Sequence, residues 1–291
     1  MTLSSGDKYS SSAWLRALGL ARREAASDRS EMDHIFQKSL PRAPWMQPAM
    51  ARLPGVQPLD WAAWLEVDDA FGAQMALRDH LLSSRRHDVY TLTDPAETAA
   101  HELLALIVDR LGPGYLREEG RVIRPDGVTV PLGAEPPLIT AARLVQEDLC
   151  LLQASDAGHV LTGAVLCFPA SWTLSEKIGR PLIAIHGPVD VYTQTMAARV
   201  QRLFDAIRPD RPLWRQNALL YADPALHQPR REAAPRDDSG RERRYVRSEK
   251  QCLIRLPQTG AVVFSIHTYV VPVSALDPAA RAALAQMEPH A

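Results

Sequence analysis

Cysteine is scarce in this 291-residue chain: Cys150, Cys167 and Cys252 are the whole set, and no two form a C-x-x-C pair. An odd, widely spaced set argues against a disulfide framework and a structural zinc cage, and it points to a reduced, cytoplasmic setting. Long apolar runs are missing too, and without about 18 such residues in a row no membrane span is expected. Arg22, Arg23 and Glu24 break up the only stretch where a signal peptide would sit. Charge of one sign is not in excess, since 33 Lys and Arg face 34 Asp and Glu. A net charge of −1 draws the chain to neither nucleic acid nor an anionic membrane. Familiar catalytic strings are absent as well. Gly112-Pro113-Gly114 lacks the third glycine of a dinucleotide loop, and His101-Glu102 lacks a second His at 105. There is no G-x-S-x-G elbow, no Walker loop and no C-x-x-C-H.

Proline, in contrast, is plentiful at 23 residues, above the roughly 5% average. Rigid turns between many short elements are therefore expected. Residues 1–31 read as a disordered extension, and 32–291 as one domain with a helical part to about 118 and a sheet part from about 119. Prolines at 41, 44, 48, 54 and 58 predict an extended, wrapping segment. A helix is predicted over Asp68–Ser83, and a second opens at Asp94, with Asp94 as N-cap, Pro95 at N1 and Glu97 at N3. Leu103, Leu104, Ile107, Val108 and Leu111 supply its buried stripe, and Gly112 ends it.

Strand patterns follow. Arg121–Arg124 and Val128–Leu132 flank the turn Pro125-Asp126-Gly127. Arg143–Gln153 and His159–Phe168 read as two more strands. A helical turn over Trp172–Ile178 leads to an apolar strand ending at Ile185-His186, and Met196, Val200, Leu203 and Ile207 mark an amphipathic helix. A strand is read over Asn217–Tyr221. Gln228–Arg244, with six Arg and four acidic residues, reads as a solvated loop, with an anion-binding patch as the other reading. The clearest hairpin joins Tyr245–Leu256 to Ala261–Val273 through Pro257-Gln258-Thr259-Gly260. It would pair Arg255 with Val262, Leu253 with Phe264, Gln251 with Ile266 and Glu249 with Thr268. Leu253, Phe264 and Ile266 then share a face with Arg255, Gln251 and Glu249, an apolar floor rimmed by charge that suits a ligand. Asp277-Pro278 starts a last helix. Helices followed by antiparallel strands make the fold class α+β.

One histidine, His186, stands at a Gly-Pro corner before a helix, and two readings are open. It bonds the backbone at a turn, or it is an axial metal ligand whose second ring nitrogen is held by a neighbour. An ordered set of motifs bears on the choice: Gln146-Glu147-Asp148-Leu149, Phe168-Pro-x-x-Trp172, Lys177-x-Gly179, Ile185-His186-x-Pro188-Val189, Arg215-x-Asn217, Arg247-x-Glu249-x-Gln251-x-Leu253-x-Arg255-Leu256-Pro257 and Phe264-x-Ile266-x-x-Tyr269. Trp45, Leu59-Asp60-x-x-x-Trp64, Asp68 and Arg78 precede them. Together they resemble the haem subunit of the haem-dependent oxidative N-demethylases (dimethylamine monooxygenase-like) over about residues 40 to 280.

That resemblance implies a PAS-like antiparallel sheet with flanking helices holding haem b. It implies oxidative N-demethylation of a small secondary or methylated amine with O2, release of formaldehyde, and electrons from a flavin/iron–sulfur reductase subunit. His186 would be the proximal iron ligand, with His267 its rival. Lys177, Arg215 and Arg255 would pair the haem carboxylates, with Trp172 and Asn217 in the cofactor pocket. Glu249 or Tyr269 would face the iron-bound oxygen or hold an ammonium substrate. The alternative for each charged strand residue is an ordinary ion pair. The chain departs from the pattern at Asp190, Ala218, Lys250, Cys252 and His267. A non-catalytic haem-PAS protein that senses or binds gases is the second function in view, and homo- or hetero-oligomeric assembly is left open.

Overall fold

Among the described residues, ten strands and the helices between them form the regular structure. The computed structural model describes residues 35–50, 54–186, 194–234, 240 and 242–286. The expected extension 1–31 and the Gly187-Pro188-Val189 corner lie outside the described residues, as does the side chain of Met196. In chain order the elements are β1 (Gln57–Pro58), α1 (Phe71–Ser84), α2 (Arg86–Val89), β2 (Tyr90–Leu92) and α3 (Glu97–Arg110). Then come β3 (Leu116–Glu118), β4 (Arg121–Ile123), β5 (Thr129–Pro131), α4 (Pro137–Ala142), β6 (Asp148–Ser155) and β7 (Gly158–Val165). The last third adds α5 (Leu174–Lys177), α6 (Leu182–His186), α7 (Gln194–Ala206), β8 (Leu213–Tyr221), β9 (Tyr245–Arg255), β10 (Val262–Pro272) and α8 (Pro278–Ala285).

Seven strands form one antiparallel sheet in the order β1-β8-β9-β10-β6-β7-β2, and β3-β4-β5 form a small second sheet. The α+β class follows. The β9–β10 hairpin has the expected register at every expected pair, including Arg255 with Val262 and Glu249 with Thr268. Gly260, at φ 70°, supplies the left-handed residue that closes its four-residue loop. The β4–β5 hairpin also pairs as read, around Gly127 at φ 82°.

Alternation along the strands gives the sheet two faces. The back face packs Leu149, Leu151, Ile254 and Val263 against Met75, Leu82, Leu103, Ile107 and Leu138 of α1, α3 and α4. The front face packs Leu152, Leu161, Leu253 and Val262 against Leu174, Leu182, Phe204 and Ile207 on or beside α5, α6 and α7. The proline-rich segment wraps the far edge, where the Trp45 indole donates to the Ala280 carbonyl at 3.0 Å. Asp277 caps α8 as expected by accepting from the Ala280 N–H at 2.9 Å.

Four local expectations are corrected. Asp94 does not cap; it opens a 3-10 turn, and the Thr93 hydroxyl before it is spent on the Thr162 carbonyl at 2.9 Å. Gly112 does not close α3 in a left-handed turn, because Leu111 leaves the helix through extended backbone at ψ 127°. Residues 143–147 are the exit from α4, and the strand begins only at Asp148. Leu182–His186 is a helix, not a strand. Pro181 leads into it, and a five-residue apolar run carries no periodicity that separates the two.

Candidate functional site

The parity of β9 decides which candidate residues meet. Arg247, Glu249, Gln251, Leu253 and Arg255 point to the front, and Ser248, Lys250, Cys252 and Ile254 to the back. Arg215 lies opposite Gln251 and Asn217 opposite Glu249, so both are frontal. Tyr269 lies opposite Ser248 and His267 opposite Lys250, so both are on the back.

On the front, α5–α7 cover the apolar end, where Phe264, Leu213, Trp172 and Ile185 are only partly buried. Beyond them the same face turns polar around a pocket of about 170 Å³ lined by Trp172, Asn217, Leu219, Tyr221, Arg247 and Glu249. The Trp172 wall is a turn anchored at several points. Asp148 accepts from the Cys167 and Phe168 N–H groups at 2.9 and 2.8 Å, and is itself paired with the buried Arg78 at 2.8 Å. Arg247 donates to the Phe168 and Leu226 carbonyls at 2.6 and 3.0 Å, and the Ser171 N–H donates to the Gln228 carbonyl at 3.1 Å. Ser171 itself is held at φ 62°, a left-handed conformation that costs a non-glycine residue about 1–2 kcal/mol.

Two cations in this region have unspent donors. Buried Arg247 has no hydrogen-bond partner for its Nε, which lies 3.6 Å from the Glu249 carboxylate, too far for a hydrogen bond. Arg215 also has a buried Nε without a partner. Burial lowers the Arg215 pKa against the charge of Glu249, yet a guanidinium stays protonated. Glu249 is held in place by its own N–H on Asn217 Oδ1 at 3.1 Å and by the Gln251 amide at 3.1 Å.

The other candidates are placed differently. Arg255 donates to the Phe204, Ile207 and Gly260 carbonyls at 2.6, 2.7 and 2.8 Å. It closes the C-terminal end of α7, where a cation meets unpaired carbonyls and the negative end of the helix dipole, and each of its three nitrogens already donates to the backbone. Lys177 is spent as well, donating to the Ile185 carbonyl at 2.7 Å and to Glu232 at 2.5 Å. It therefore ties α5 to the backbone just before His186. His186 ends α6, and its side chain lies outside the described residues. The loop around Gln228–Arg244 contributes Glu232 here, and residues 235–239 and 241 of it lie outside the described residues.

On the back, His267 is fully buried with Nδ1 3.1 Å from Glu147 and Nε2 3.2 Å from Asp68. Burial lowers its pKa, but hydrogen bonds and charge from both carboxylates outweigh this and raise it to about 9. Both ring nitrogens are thus engaged, and neither is offered to a metal. Tyr269 donates to Glu66, which also accepts from Lys250 at 2.6 Å and pairs with Arg42 at 2.8 Å. Burial raises the Glu66 pKa, and the charges of His267 and Lys250 with the bonds from Lys250 and Tyr269 outweigh it, leaving about 2. This network fastens the segment carrying Glu66 and Asp68 to the sheet, so Tyr269 does not meet Glu249.

A family model described as haem-dependent oxidative N-demethylase, alpha subunit-like, matches residues 55–287. The chain belongs to that family. The match takes in every strand of both sheets, and the family's description names one subunit of a multi-subunit assembly. Among the described residues of this N-demethylase-family chain no helix is long and apolar enough to cross a membrane. A haem brings an apolar macrocycle and two carboxylates. The partly open strip of Leu213, Phe264 and Trp172 suits the first, and the unpaired Nε of Arg215 suits the second. The polar pocket, at about 170 Å³, is below the 300–1,000 Å³ of cofactor sites, so it suits a small ligand beside such a group. Sequence reading passed over Tyr221 and the role of Arg247. The signal was period two: Asn217, Leu219 and Tyr221 share a face, and Arg247 precedes Glu249 on the same side.

Proposed function

We propose that this chain is the haem-carrying subunit of an oxidative N-demethylase, acting on a small secondary or methylated amine. The overall change is amine N–CH3 plus O2, two electrons and two protons to amine N–H, formaldehyde and water. The electrons would come from a flavin/iron–sulfur reductase subunit. Haem b, when bound, supplies the O2 chemistry, and the protein supplies binding, orientation and proton supply.

One observation carries the reading beyond the family match: a nearly buried carboxylate, Glu249, stands in a pocket walled by Trp172 and Tyr221. Aromatic faces with a carboxylate are the means by which proteins hold small ammonium ions out of water. Glu249 would bind the ammonium, with its carboxylate held by the Gln251 amide and its backbone N–H held by Asn217 Oδ1. His186 would be the axial ligand, with Lys177 fixing the backbone carbonyl beside it. Trp172 and Asn217 would border the cofactor, and Arg215, on the same sheet face beside Glu249, would be the further catalytic residue. The sheet with its front helices would serve as a PAS-like cradle.

The test is the absorption spectrum of the full chain, as purified and after haemin, beside His186→Ala. A Soret band that shifts with dithionite and CO, and is lost or displaced in the variant, supports haem on His186. Formaldehyde release with reductant, O2 and a methylated amine supports the reaction. No Soret band with excess haemin overturns the reading. A Soret band with no formaldehyde from any amine leaves a non-catalytic haem protein.

A further inference from the structure

Past the end of β7 the backbone leaves the sheet, and its buried N–H and C=O groups need new partners. At Cys167 and Phe168 all four are met by side chains. Asp148 accepts from both N–H groups, at 2.9 and 2.8 Å. His227 Nδ1 donates to the Cys167 carbonyl at 2.8 Å, and Arg247 donates to the Phe168 carbonyl at 2.6 Å. Arg78, paired with Asp148 at 2.8 Å, also lies over the Phe168 ring, 4.7 Å from its centre. Replacing a buried ion pair of this kind by packed apolar residues is often neutral for stability, so stability alone does not account for it. Three residues further on, Ser171 is held at φ 62°. Such strain in a non-glycine residue persists only where its surroundings over-determine it, and it clusters at ligand sites. Both costs fall on one turn, and that turn carries Trp172, a wall of the pocket that contains Glu249.

We propose that Asp148 and His227 are positioning residues for this pocket: by clamping Cys167 and Phe168 they hold Ser171 in its left-handed conformation and Trp172 against the ligand. Neither lines the pocket, so both act through the turn. Burial lowers the His227 pKa, and its buried Nε2 has no hydrogen-bond partner. The ring is therefore neutral at pH 7, with its proton on Nδ1 for the Cys167 carbonyl. With the clamp loosened, Ser171 relaxes to negative φ and Trp172 swings off the wall. Glycine has no such preference, so Ser171→Gly lets a weakened clamp still hold. The proposal rests on the N-demethylase reading for the ligand, a small ammonium ion, but not for the position of Trp172.

The experiment is fluorine NMR of the full chain with its six tryptophans replaced by 5-fluorotryptophan, the Trp172 signal being the one lost in Trp172→Phe. Dimethylamine at pH 7 is expected to move that signal and gives the affinity by titration. Asp148→Asn should displace the Trp172 signal without ligand and weaken dimethylamine by about tenfold. His227→Phe, which keeps a ring and removes one donor, should do the same by about threefold. Adding Ser171→Gly to either should return the signal and recover part of the affinity. Should Asp148→Asn fail to fold, because Arg78 is left without its counter-charge, His227→Phe decides. A lower melting temperature with the Trp172 signal and the affinity unchanged would make these residues merely structural and overturn the proposal. A displaced Trp172 signal that Ser171→Gly does not restore would overturn it too. If dimethylamine leaves the Trp172 signal of the unaltered chain in place, the amine reading of the pocket fails, while displacement of that signal in the variants still upholds the clamp.

Discussion

Replacing Asp68 by asparagine tests whether the charge network behind the sheet holds the N-terminal wrap in place. The Asp68 carboxylate accepts from Ala70 N–H and Gln146 at 2.9 Å, from Gln37 at 2.8 Å, and from His267 Nε2 at 3.2 Å. Burial raises its pKa, but the His267 bond and charge, with the Gln146 and Gln37 bonds, outweigh this and bring it from 3.8 to about 2. At about 1.4 kcal/mol per unit, that drop is worth about 2–3 kcal/mol of folding stability. The amide side chain would keep the shape but lose the charge, and one donor would then face others. Urea unfolding of Asp68→Asn at pH 6 should therefore show a loss of about 2–3 kcal/mol, or about 5–10 °C in melting temperature for a chain this size. The sign with pH is fixed. A depressed carboxylate stabilises above its unfolded pKa near 4 and loses that effect as pH falls toward 2, so the two proteins should converge in acid. His267 works the other way: its stabilisation is complete below about pH 6.5 and is lost as pH rises through about 9. In Asp68→Asn that alkaline decline should begin earlier, because one of the two carboxylates is gone. A difference under about 0.5 kcal/mol at pH 6, or one that grows on acidification, would refute the reasoning.

Arg255→Met should cost about 2–4 kcal/mol in urea unfolding, because two carbonyls at the end of α7 and one in the β9–β10 loop lose a charged donor. Haemin uptake should be unchanged; a lost Soret band with intact stability would return Arg255 to the cofactor. Ser171→Gly should be neutral or stabilising by up to about 1 kcal/mol in thermal melts, whereas Ser171→Val should cost about 1–2 kcal/mol at φ 62°. Trp64→Phe should cost about 1–3 kcal/mol, since the buried indole N–H bonds the Ser265 hydroxyl at 2.9 Å and its loss takes a donor from a buried oxygen.

The front of the site was legible in the sequence because short-range rules determine it. A four-residue loop with Gly260 sets the β9–β10 register, and alternation then puts Glu249, Gln251 and Leu253 on one face. The same register already argued against grouping Tyr269 with Glu249. If Glu249 opposes Thr268, then Tyr269 and His267 must point to the other side. What the sequence could not show is what waits there. Glu66 and Asp68 meet Tyr269 and His267 across about 200 residues of chain, and nothing local in an Asp or a Glu announces so distant a partner. The backbone contacts of Arg255 and Lys177 are hidden from the sequence for a related reason. A cation near an expected cofactor reads as a cofactor contact, until backbone carbonyls and a loop carboxylate are seen to engage it.

The two faces of β9 and β10 make one mechanical unit. Lys250 and His267 pin the wrap from behind, while Glu249, on the residue beside Lys250, lines the pocket in front. A buried ion network is weak evidence for added stability, since well-packed apolar residues often do as well. Its value here lies in register. A one-residue slip of β9 against β10 would turn Lys250 toward the pocket and bury Glu249 among Asp68, Glu147 and Glu66. Four carboxylates would then crowd His267 with Lys250 gone to the front, so the back network penalises the slipped pairing that would destroy the front site.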